Sequence, residues 1–403
     1  MKGKQLRQRI DFTLILAVTA LVGFSIIMIG SAGGRTFDLL HITLGPSMKR
    51  QLLGFALGLV FATVLMLVSR ELLNFLTIPI YFFMLLLLLI VLLIGIGSGA
   101  EGEEEGVHRW IQLIGGFTLQ PSEFAKFFII IVLARFCDVR SDRINRFGVL
   151  LAFGAILVLP FYLVLKEPDL STSIILIAIG AAILFTAGLN WKYILAAFLI
   201  AGIGIYVILA DAYNPDGPRI LSEYQAMRIW AFITPEKYAE NYAYQTLRSQ
   251  YAISSGGLTG VGLFNSSGLI PVPMTDFIFA ILGEELGFIG CSIMMGIMTL
   301  IVGHIIRIST MVRDTYGKLI CVGVATWIAT QSFIHIGVNT AVLPNTGIPL
   351  PFMSYGPSSL VAIMGGIGLV LHVYYHHKMQ EELRRSPNTE TGGTQLEHRF
   401  GSY

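Results

Sequence analysis

The sequence predicts an all-α protein that crosses a membrane many times. Of its 403 residues, 54% are hydrophobic and only 13% are charged, and the mean hydropathy is +0.72. A single soluble core cannot bury that much apolar surface. Apolar stretches long enough for a helical crossing of about 20 residues recur along the chain. We therefore predict one membrane domain with ten transmembrane helices.

The ten predicted spans run through most of the chain. They lie near 11–31, 51–69, 73–97, 121–137, 148–165, 170–189, 191–210, 277–302, 317–343 and 358–375. One long loop, about 211–275, joins spans seven and eight and is predicted to be extracellular. Within it, Arg219 to Phe232 interleaves basic, aromatic and aliphatic residues, which predicts a helix on the outer leaflet. Residues 1–385 form the membrane domain, and the polar stretch 386–403 is predicted to be a disordered cytoplasmic tail.

The basic residues predict the orientation, because Lys and Arg accumulate on the cytoplasmic side of a membrane. With the N-terminus inside, seventeen of the 27 Lys and Arg residues are cytoplasmic. The short outer loops hold five: Arg35, Lys49, Arg50, Arg109 and Lys166. The first apolar run is too long for a signal peptide and lacks a small-residue cleavage site, so we predict a retained span. Both termini are predicted to be cytoplasmic.

Composition and spacing disfavour several functions. A net charge of +2 indicates no nucleic-acid partner. Cys137, Cys291 and Cys321 fall in or beside spans, so neither a disulfide framework nor a CxxC metal site is predicted. No inverted repeat of the kind common in secondary transporters is found.

The informative polar motifs fall on the predicted outer side. Arg109 to Lys126 leads into the fourth span and Lys166 to Thr172 joins the fifth and sixth. Asp276 precedes the eighth span, and Asn345 to Ser359 joins the ninth and tenth. Their common side predicts one convergent outer site.

Asp276 is the candidate catalytic residue. Thr275 could cap the eighth helix and leave Asp276 in its first turn, where the helix dipole favours the ionised carboxylate and burial opposes it. Such a carboxylate could act as a general base on a hydroxyl nucleophile, and the alternative is helix capping alone. Glu284 and Glu285 follow about two turns deeper. We predict that they form hydrogen bonds between helices, because uncompensated acids in a span are costly.

The fourth span opens on a candidate ion pair. Pro121 can begin a helix without losing a backbone hydrogen bond, and Glu123 and Lys126 then share one face. Lys126 lies near the outer end of the span, within reach of a phosphate or of Asp276. The alternative is a Glu–Lys pair that neutralises itself between helices, and the spacing leaves both interpretations open.

Two outer segments add further candidates. Arg109 and Trp110 could hold a diphosphate and a sugar ring, although an interfacial anchor is the commoner role of such a tryptophan. Glu167 and Asp169 could bind a divalent cation through oxygen ligands. Capping of the sixth helix is the favoured role of Asp169.

Five motifs resemble those of the SEDS family of shape, elongation, division and sporulation proteins, typified by RodA, FtsW and SpoVE. They are WIQLIGGFTLQPSEFAK, EPDLST, YQTLRSQYAISSGGLTGVG, TDFIFAILGEELGFIG and NTAVLPNTGIPLPFMSYGPSS. The resemblance extends from the first span to the tenth. It implies a ten-span peptidoglycan glycosyltransferase of the bacterial cytoplasmic membrane, which polymerises lipid II into glycan strands for elongation, division or sporulation.

The resemblance also implies partners and site residues. The partners are lipid II, the growing glycan chain, membrane lipids and a class B penicillin-binding protein as transpeptidase. Asp276 corresponds to the family's essential acid, and Trp110 and Lys126 to its motif Trp and Lys. The other expected substrate contacts, within the quoted motifs and beside them, are Glu123, Arg109, Arg248, Gln245, Ser354 and Tyr355. Of these, Arg248 departs from the family pattern, because it replaces a usually uncharged residue.

This resemblance implies a mechanism in which Asp276 deprotonates the 4-hydroxyl of an acceptor N-acetylglucosamine. The hydroxyl oxygen then attacks the anomeric carbon of a lipid-linked donor and expels undecaprenyl diphosphate. The developing charge needs a cation. Lys126 is the first candidate, followed by Arg109 or Arg248, and a divalent ion such as Mg²⁺ or Mn²⁺ is a further option.

Two other functions stay open on the sequence. A lipid II flippase would need polar groups along a path to the cytoplasmic face, whereas the polar motifs here lie on one side. A non-catalytic scaffold of a cell-wall synthesis complex would not need the Asp276 carboxylate. Normal growth of cells whose sole copy carries Asp276→Asn would favour the scaffold.

Overall fold

The structure is a computed structural model that describes residues 9–33, 45–96, 109–112, 118–212, 223–271 and 273–385. The predicted tail 386–403 lies outside these residues. So do the segment 101–108 before Arg109 and the first part of the predicted long loop. The described residues are mostly helical, as the sequence predicts.

Twelve α-helices and one short hairpin occur in the described part of the chain. In chain order they are α1 (Phe12–Ala32), α2 (Pro46–Leu67), α3 (Arg70–Ile94), β1 (Ile111–Gln112), β2 (Thr118–Leu119), α4 (Pro121–Val139), α5 (Phe147–Lys166), α6 (Leu170–Thr186), α7 (Trp191–Ala212), α8 (Glu223–Ile233), α9 (Tyr244–Gly256), α10 (Ile278–Met311), α11 (Thr315–Asn339) and α12 (Pro357–Arg385). The two strands pair antiparallel. Short 3₁₀ helices occupy Ser141–Arg143 and Pro235–Tyr238.

The predicted spans and the observed helices agree closely in position. Every predicted span coincides with a long helix, and the connecting helices α8 and α9 lie in the long loop. Among the described residues, seven helices are long and apolar enough to cross a membrane by themselves: α1, α2, α3, α5, α10, α11 and α12. The all-α class and the multi-pass membrane character are thereby confirmed. Helix α6 is apolar but has only 17 residues, and α4 carries charged side chains within its apolar run.

Both described ends of the chain lie at the same end of the bundle, which we term the terminal end. The Arg9 Nε donates to Glu382 Oε2 at 3.0 Å, joining the start of α1 to the last turns of α12. At this end Arg70 Nη1 also lies 3.2 Å from Asp314 Oδ2. Because the chain enters and leaves the bundle at the same end, it must cross the bundle an even number of times.

The centre of the bundle is built on α4, α11 and α12. Ile129, Ile130 and Trp327 are completely buried there. A Cβ on Gly323 of α11 would stand 2.9 Å from Ile130 Cγ2, so the small residue permits the close approach of α4 and α11. Helices α3, α5 and α7 instead turn large apolar side chains outward, among them Phe75 and Phe147. Such apolar outer surfaces are suited to contact with lipid.

Helix α10 is broken at Gly287, whose backbone is left-handed (φ 63°, ψ −163°). The chain after α9 satisfies the amides freed by the break, because Phe288 N donates to Gly257 O at 2.9 Å and Ile289 N to Leu258 O at 3.1 Å. The part from Phe288 to Met311 is about 36 Å long. That length exceeds the hydrocarbon thickness of about 30 Å. Glu284 and Glu285 therefore precede the part of α10 that can cross.

These two acids hold the break together. Ser31 of α1 donates to Glu285 Oε1, so the predicted hydrogen bond between helices is confirmed for Glu285. Glu284 Oε1 instead accepts from the backbone N–H of Ser267, in the chain between α9 and α10. The predicted hydrogen bond between helices is therefore wrong for Glu284, because its partner lies in the loop between α9 and α10.

Candidate active site

Asp276 lies at the end of the bundle opposite to the termini, which we term the site end. Helix α10 begins after Phe277, which makes no side-chain cap hydrogen bond. Asp276 therefore precedes the helix, and its predicted place in the first helical turn is wrong. The residue as a whole is half-buried.

A buried amide holds the backbone around Asp276. Asn339, at the end of α11, is completely buried. Its Nδ2 donates to Asp276 O at 2.9 Å, and its Oδ1 accepts from Ala280 N at 3.1 Å. Its own carbonyl oxygen accepts from Ser249 Oγ of α9 at 2.8 Å. One side chain thus ties the Asp276 segment to the first turn of α10.

The loop 345–356 runs alongside this segment. Ser354 Oγ donates to Thr275 O at 2.5 Å, and Tyr355 N donates to Met274 O at 2.8 Å. The sequence placed Ser354 and Tyr355 among the substrate contacts, and the structure shows them holding the backbone next to Asp276. The loop is thereby a wall of the site.

Gln51 of α2 fastens the loop from the other side. Its Nε2 donates to Ser354 O at 3.1 Å, and its Oε1 accepts from Gly356 N at 3.2 Å. Gln51 is completely buried, so both bonds lie away from water. These hydrogen bonds fix the position of the loop, because leaving a buried polar group unpaired costs about 1–3 kcal/mol.

Charges from three parts of the chain act on Asp276. Burial raises the pKa of the Asp276 carboxyl, the positive charges of Arg228 and Arg109 oppose that rise, and the negative charge of Asp169 adds to it. Arg109 in turn donates from Nε to Glu167 O at 3.0 Å and from Nη2 to Pro168 O at 3.2 Å. The outer motifs predicted to converge are thus brought together.

Glu123 and Lys126 form a buried ion pair. Lys126 Nζ donates to Glu123 Oε1 at 2.6 Å and to Gln331 Oε1 of α11 at 2.8 Å. The side chains of Lys126 and Glu123 are 0% and 1% exposed. Lys126 Nζ also lies 5.3 Å from the ring centroid of Trp327. The geometry favours the self-neutralising pair over a lysine that reaches the site surface.

This pair also supports the wall of the site. Ser359 Oγ donates to Glu123 Oε2 at 2.6 Å, and Gln331 Nε2 donates to Pro349 O at 2.8 Å. Trp327 Nε1 donates to Gln331 Oε1 at 2.7 Å. The pair is thereby joined to the first turn of α12 through Ser359 and to the loop 345–356 through Gln331.

The turn between α5 and α6 holds Glu167 and Asp169, the two residues predicted as candidate cation ligands. Asp169 caps α6, since its Oδ1 accepts from Thr172 N at 3.0 Å, and its Oδ2 accepts from Ser122 Oγ at 3.2 Å. Glu167 is completely buried and neither oxygen has a hydrogen-bond partner among the described residues. Burial and the neighbouring Asp169 raise its pKa to about 9, so it is protonated near neutral pH. Over the described ranges, no group of three or more His, Cys, Asp or Glu could hold a metal.

The remaining predicted contacts come from the segment before β1 and from α9. Trp110 is half-buried and its backbone bridges to Ile96, with Ile96 N donating to Trp110 O at 2.8 Å. Gln245 and Arg248 lie on α9. The Arg248 guanidinium stands 5.2 Å from the ring centroid of Tyr244, beside a cavity of about 350 Å³. Within the part of the chain the structure describes, neither Gln245 nor Arg248 makes an ion pair or hydrogen bond with Asp276.

The site also contains residues that the sequence analysis did not single out, among them Arg228, Gln331, Asn339 and Gly347. Gln331 and Asn339 are polar residues inside a predicted span, which is a usable signal for function. The sequence assigned Arg228 to a helix lying on the outer leaflet, whereas its Nη1 donates to Asn345 O at 3.2 Å. No sequence pattern pairs residues so far apart.

Fold and site together define a polytopic helical membrane protein with a half-buried aspartate between two arginines at one end. The family model described as "Cell cycle protein", which covers FtsW, RodA and SpoVE, matches residues 12–379. The chain belongs to this family, the SEDS family that its motifs resemble.

Similar proteins cover nearly the whole chain. "Probable peptidoglycan glycosyltransferase FtsW" of Trichlorobacter lovleyi is 34% identical over 368 residues, which are 90% of this chain and 92% of that protein. "Peptidoglycan glycosyltransferase MrdB" of Escherichia coli K12 is 31% identical over 377 residues, covering 92% and 95%. A chain from a solved structure described as "Structural coordination of polymerization and crosslinking by a peptidoglycan synthase complex" superposes with a TM-score of 0.75 at 27% identity, covering 91% of this chain and 98% of that one.

Proposed function

We propose that this protein is a peptidoglycan glycosyltransferase that polymerises lipid II, with Asp276 as the general base. The enzyme class is the one that the names of its relatives give. The observation that carries the residue assignment is the setting of Asp276, a half-buried residue at the wall formed by 345–356 with positive charge beside it.

The proposed reaction needs one proton acceptor and one stabiliser of negative charge. Asp276 takes the proton of the acceptor 4-hydroxyl as the hydroxyl oxygen bonds to the anomeric carbon of the donor. The bond from that carbon to the diphosphate breaks, and the electron pair leaves with undecaprenyl diphosphate. A base works best with a pKa near the operating pH. Burial moves the pKa of Asp276 in that direction.

Arg109 is our candidate for stabilising the leaving diphosphate. Its charge acts on Asp276, whereas Lys126 is enclosed by its own carboxylate partner. Mg²⁺ or Mn²⁺ would add positive charge at the diphosphate, with Glu167 and Asp169 as the candidate ligands. Trp110, Gln245, Arg248 and Tyr355 remain proposed substrate contacts.

The proposed topology has ten crossings, both termini in the cytoplasm and the site end outside. The Arg9–Glu382 pair supports an even number of crossings. Polar sugars and lipid tails meet at the outer surface, which is where this topology places Asp276. We propose a class B penicillin-binding protein as the crosslinking partner. The similar solved chain, which comes from a complex described as coordinating polymerization and crosslinking, supports this pairing.

Polymerisation of lipid II by the purified protein tests the proposal. We expect wild-type protein to make glycan strands and Asp276→Asn to lose at least ~100-fold in rate, as general-base removal does. Asp142→Asn is the matched control, since Asp142 is exposed in the turn between α4 and α5, away from the site end. Each protein is assayed with Mg²⁺ and with chelator. Equal glycan synthesis by wild type and Asp276→Asn would refute the assignment.

A further inference from the structure

The long loop reaches the site through Arg228 of α8. Arg228 Nη1 donates to Asn345 O at 3.2 Å, and Asn345 Oδ1 accepts from Gly347 N at 3.2 Å. Gly347 has a left-handed backbone (φ 63°). A tight turn of the wall 345–356 thus stands between α8 and the Asp276 segment.

Asp276 and Arg228 face each other across Gly347. A Cβ at Gly347 would stand 3.3 Å from Asp276 Oδ2 and 4.0 Å from Arg228 Nη1. The two charged atoms are therefore no farther apart than the sum of these distances. The space between them is open because residue 347 has no side chain.

We propose that Arg228 is a positioning residue, which holds the Asp276 carboxylate ionised and oriented across the gap left by Gly347. This inference rests on the proposed function of Asp276 and adds the long loop to the active site. Helix α8 thereby contributes a residue to the active site, because Arg228 is held there by its hydrogen bond to the Asn345 carbonyl oxygen.

The charges around Asp276 determine whether its pKa rises or falls when Arg228 is removed. The groups that act on its carboxyl are Arg228 from α8, Arg109 from the segment before β1 and Asp169 from the turn before α6. Removing Arg228 leaves Asp169 and burial opposed by Arg109 alone. The pKa of Asp276 then rises, and a higher pH is needed to generate the base.

The test is the pH dependence of kcat/KM for lipid II polymerisation. In this profile, the acidic limb is the fall of kcat/KM at low pH. For Arg228→Gln we expect the acidic limb to shift to higher pH by about one unit, with activity largely regained at high pH. Arg228→Lys retains the charge and should return the limb toward its wild-type position. Lys237→Gln is the matched control, because it removes an exposed cation from the same long loop.

Gly347→Ala provides an independent test that keeps both charges. Its methyl group would occupy the gap between Asp276 Oδ2 and Arg228 Nη1. We expect the same upward movement of the acidic limb. Alanine is strained at the left-handed backbone of residue 347, so Arg228→Gln and Gly347→Ala each decide the question if the other does not fold. An unmoved limb in a folded, active variant overturns the role of Arg228 and leaves the proposed function intact. Unimpaired polymerisation by Asp276→Asn would instead remove the assignment of Asp276 as the base, and a wild-type protein that makes no glycan would remove the proposed function itself.

Discussion

Replacing Lys126 with methionine tests whether the buried ion pair is structural or contacts the substrate. Lys126→Met keeps most of the side-chain volume and removes the charge. Glu123 Oε1 then loses a partner at 2.6 Å inside the bundle, where Glu123 is 1% exposed. Breaking a buried ion pair by removing one partner costs about 3–5 kcal/mol, because the remaining charge is uncompensated.

The double variant Glu123→Gln/Lys126→Met removes both charges together. Replacing a buried pair with uncharged groups of similar volume is often neutral in stability. The glutamine introduced at position 123 could still accept from Ser359, which bonds Glu123 Oε2 at 2.6 Å in the wild-type protein. We therefore expect the double variant to recover most of the free energy of unfolding that Lys126→Met loses.

Two measurements separate the interpretations. Unfolding in mixed micelles by SDS titration gives the loss and recovery of stability, and lipid II polymerisation gives activity. If the pair only supports the wall 345–356, the double variant regains stability and glycan synthesis together. A double variant that is stable but inactive would refute our structural interpretation, since Lys126 would then be needed as a cation.

Two further predictions concern stability. Glu167 is protonated in the fold with a pKa near 9 against an ordinary value of 4.5, so the unfolded chain loses its proton first and wild-type stability falls as pH rises between those values. Glu167→Gln should remove that loss, with a difference growing by up to about 1.4 kcal/mol per pH unit in thermal unfolding. Identical pH dependence in the two proteins would contradict the buried neutral carboxyl. Gly287→Ala should destabilise the protein by more than about 1–3 kcal/mol, because it adds a clash 2.5 Å from Gly260 N to a left-handed backbone. Gly303→Ala, with open space around it on the same helix, is the control and should be neutral or stabilising.

Helix positions could be predicted because their signal is local. An apolar run of sufficient length is helical in a membrane whatever its neighbours, since each helix satisfies its own backbone. The predicted eighth span, 277–302, still missed the helix end at Met311 and the break at Gly287. The break depends on the segment Gly257–Leu258 packing against α10, which no local pattern contains.

The ion pair shows the limit of spacing arguments. The three-residue separation of Glu123 and Lys126 predicted that they could meet, and it left the role of Lys126 open. In the fold, Lys126 Nζ also donates to Gln331 Oε1 at 2.8 Å, which keeps the lysine inside the bundle. That contact joins residues 205 positions apart in the chain.

From the order of residues alone, the class of protein, the positions of its helices and the candidate acid Asp276 could be inferred. Hydrophobic length and motif spacing are properties of continuous segments, so they can be read without knowing what packs where. The surroundings of Asp276 depend on the fold, which brings Arg228, Asn339 and Gly347 to it from separate elements. Burial and charge act through distance in space, and only the packed bundle sets those distances.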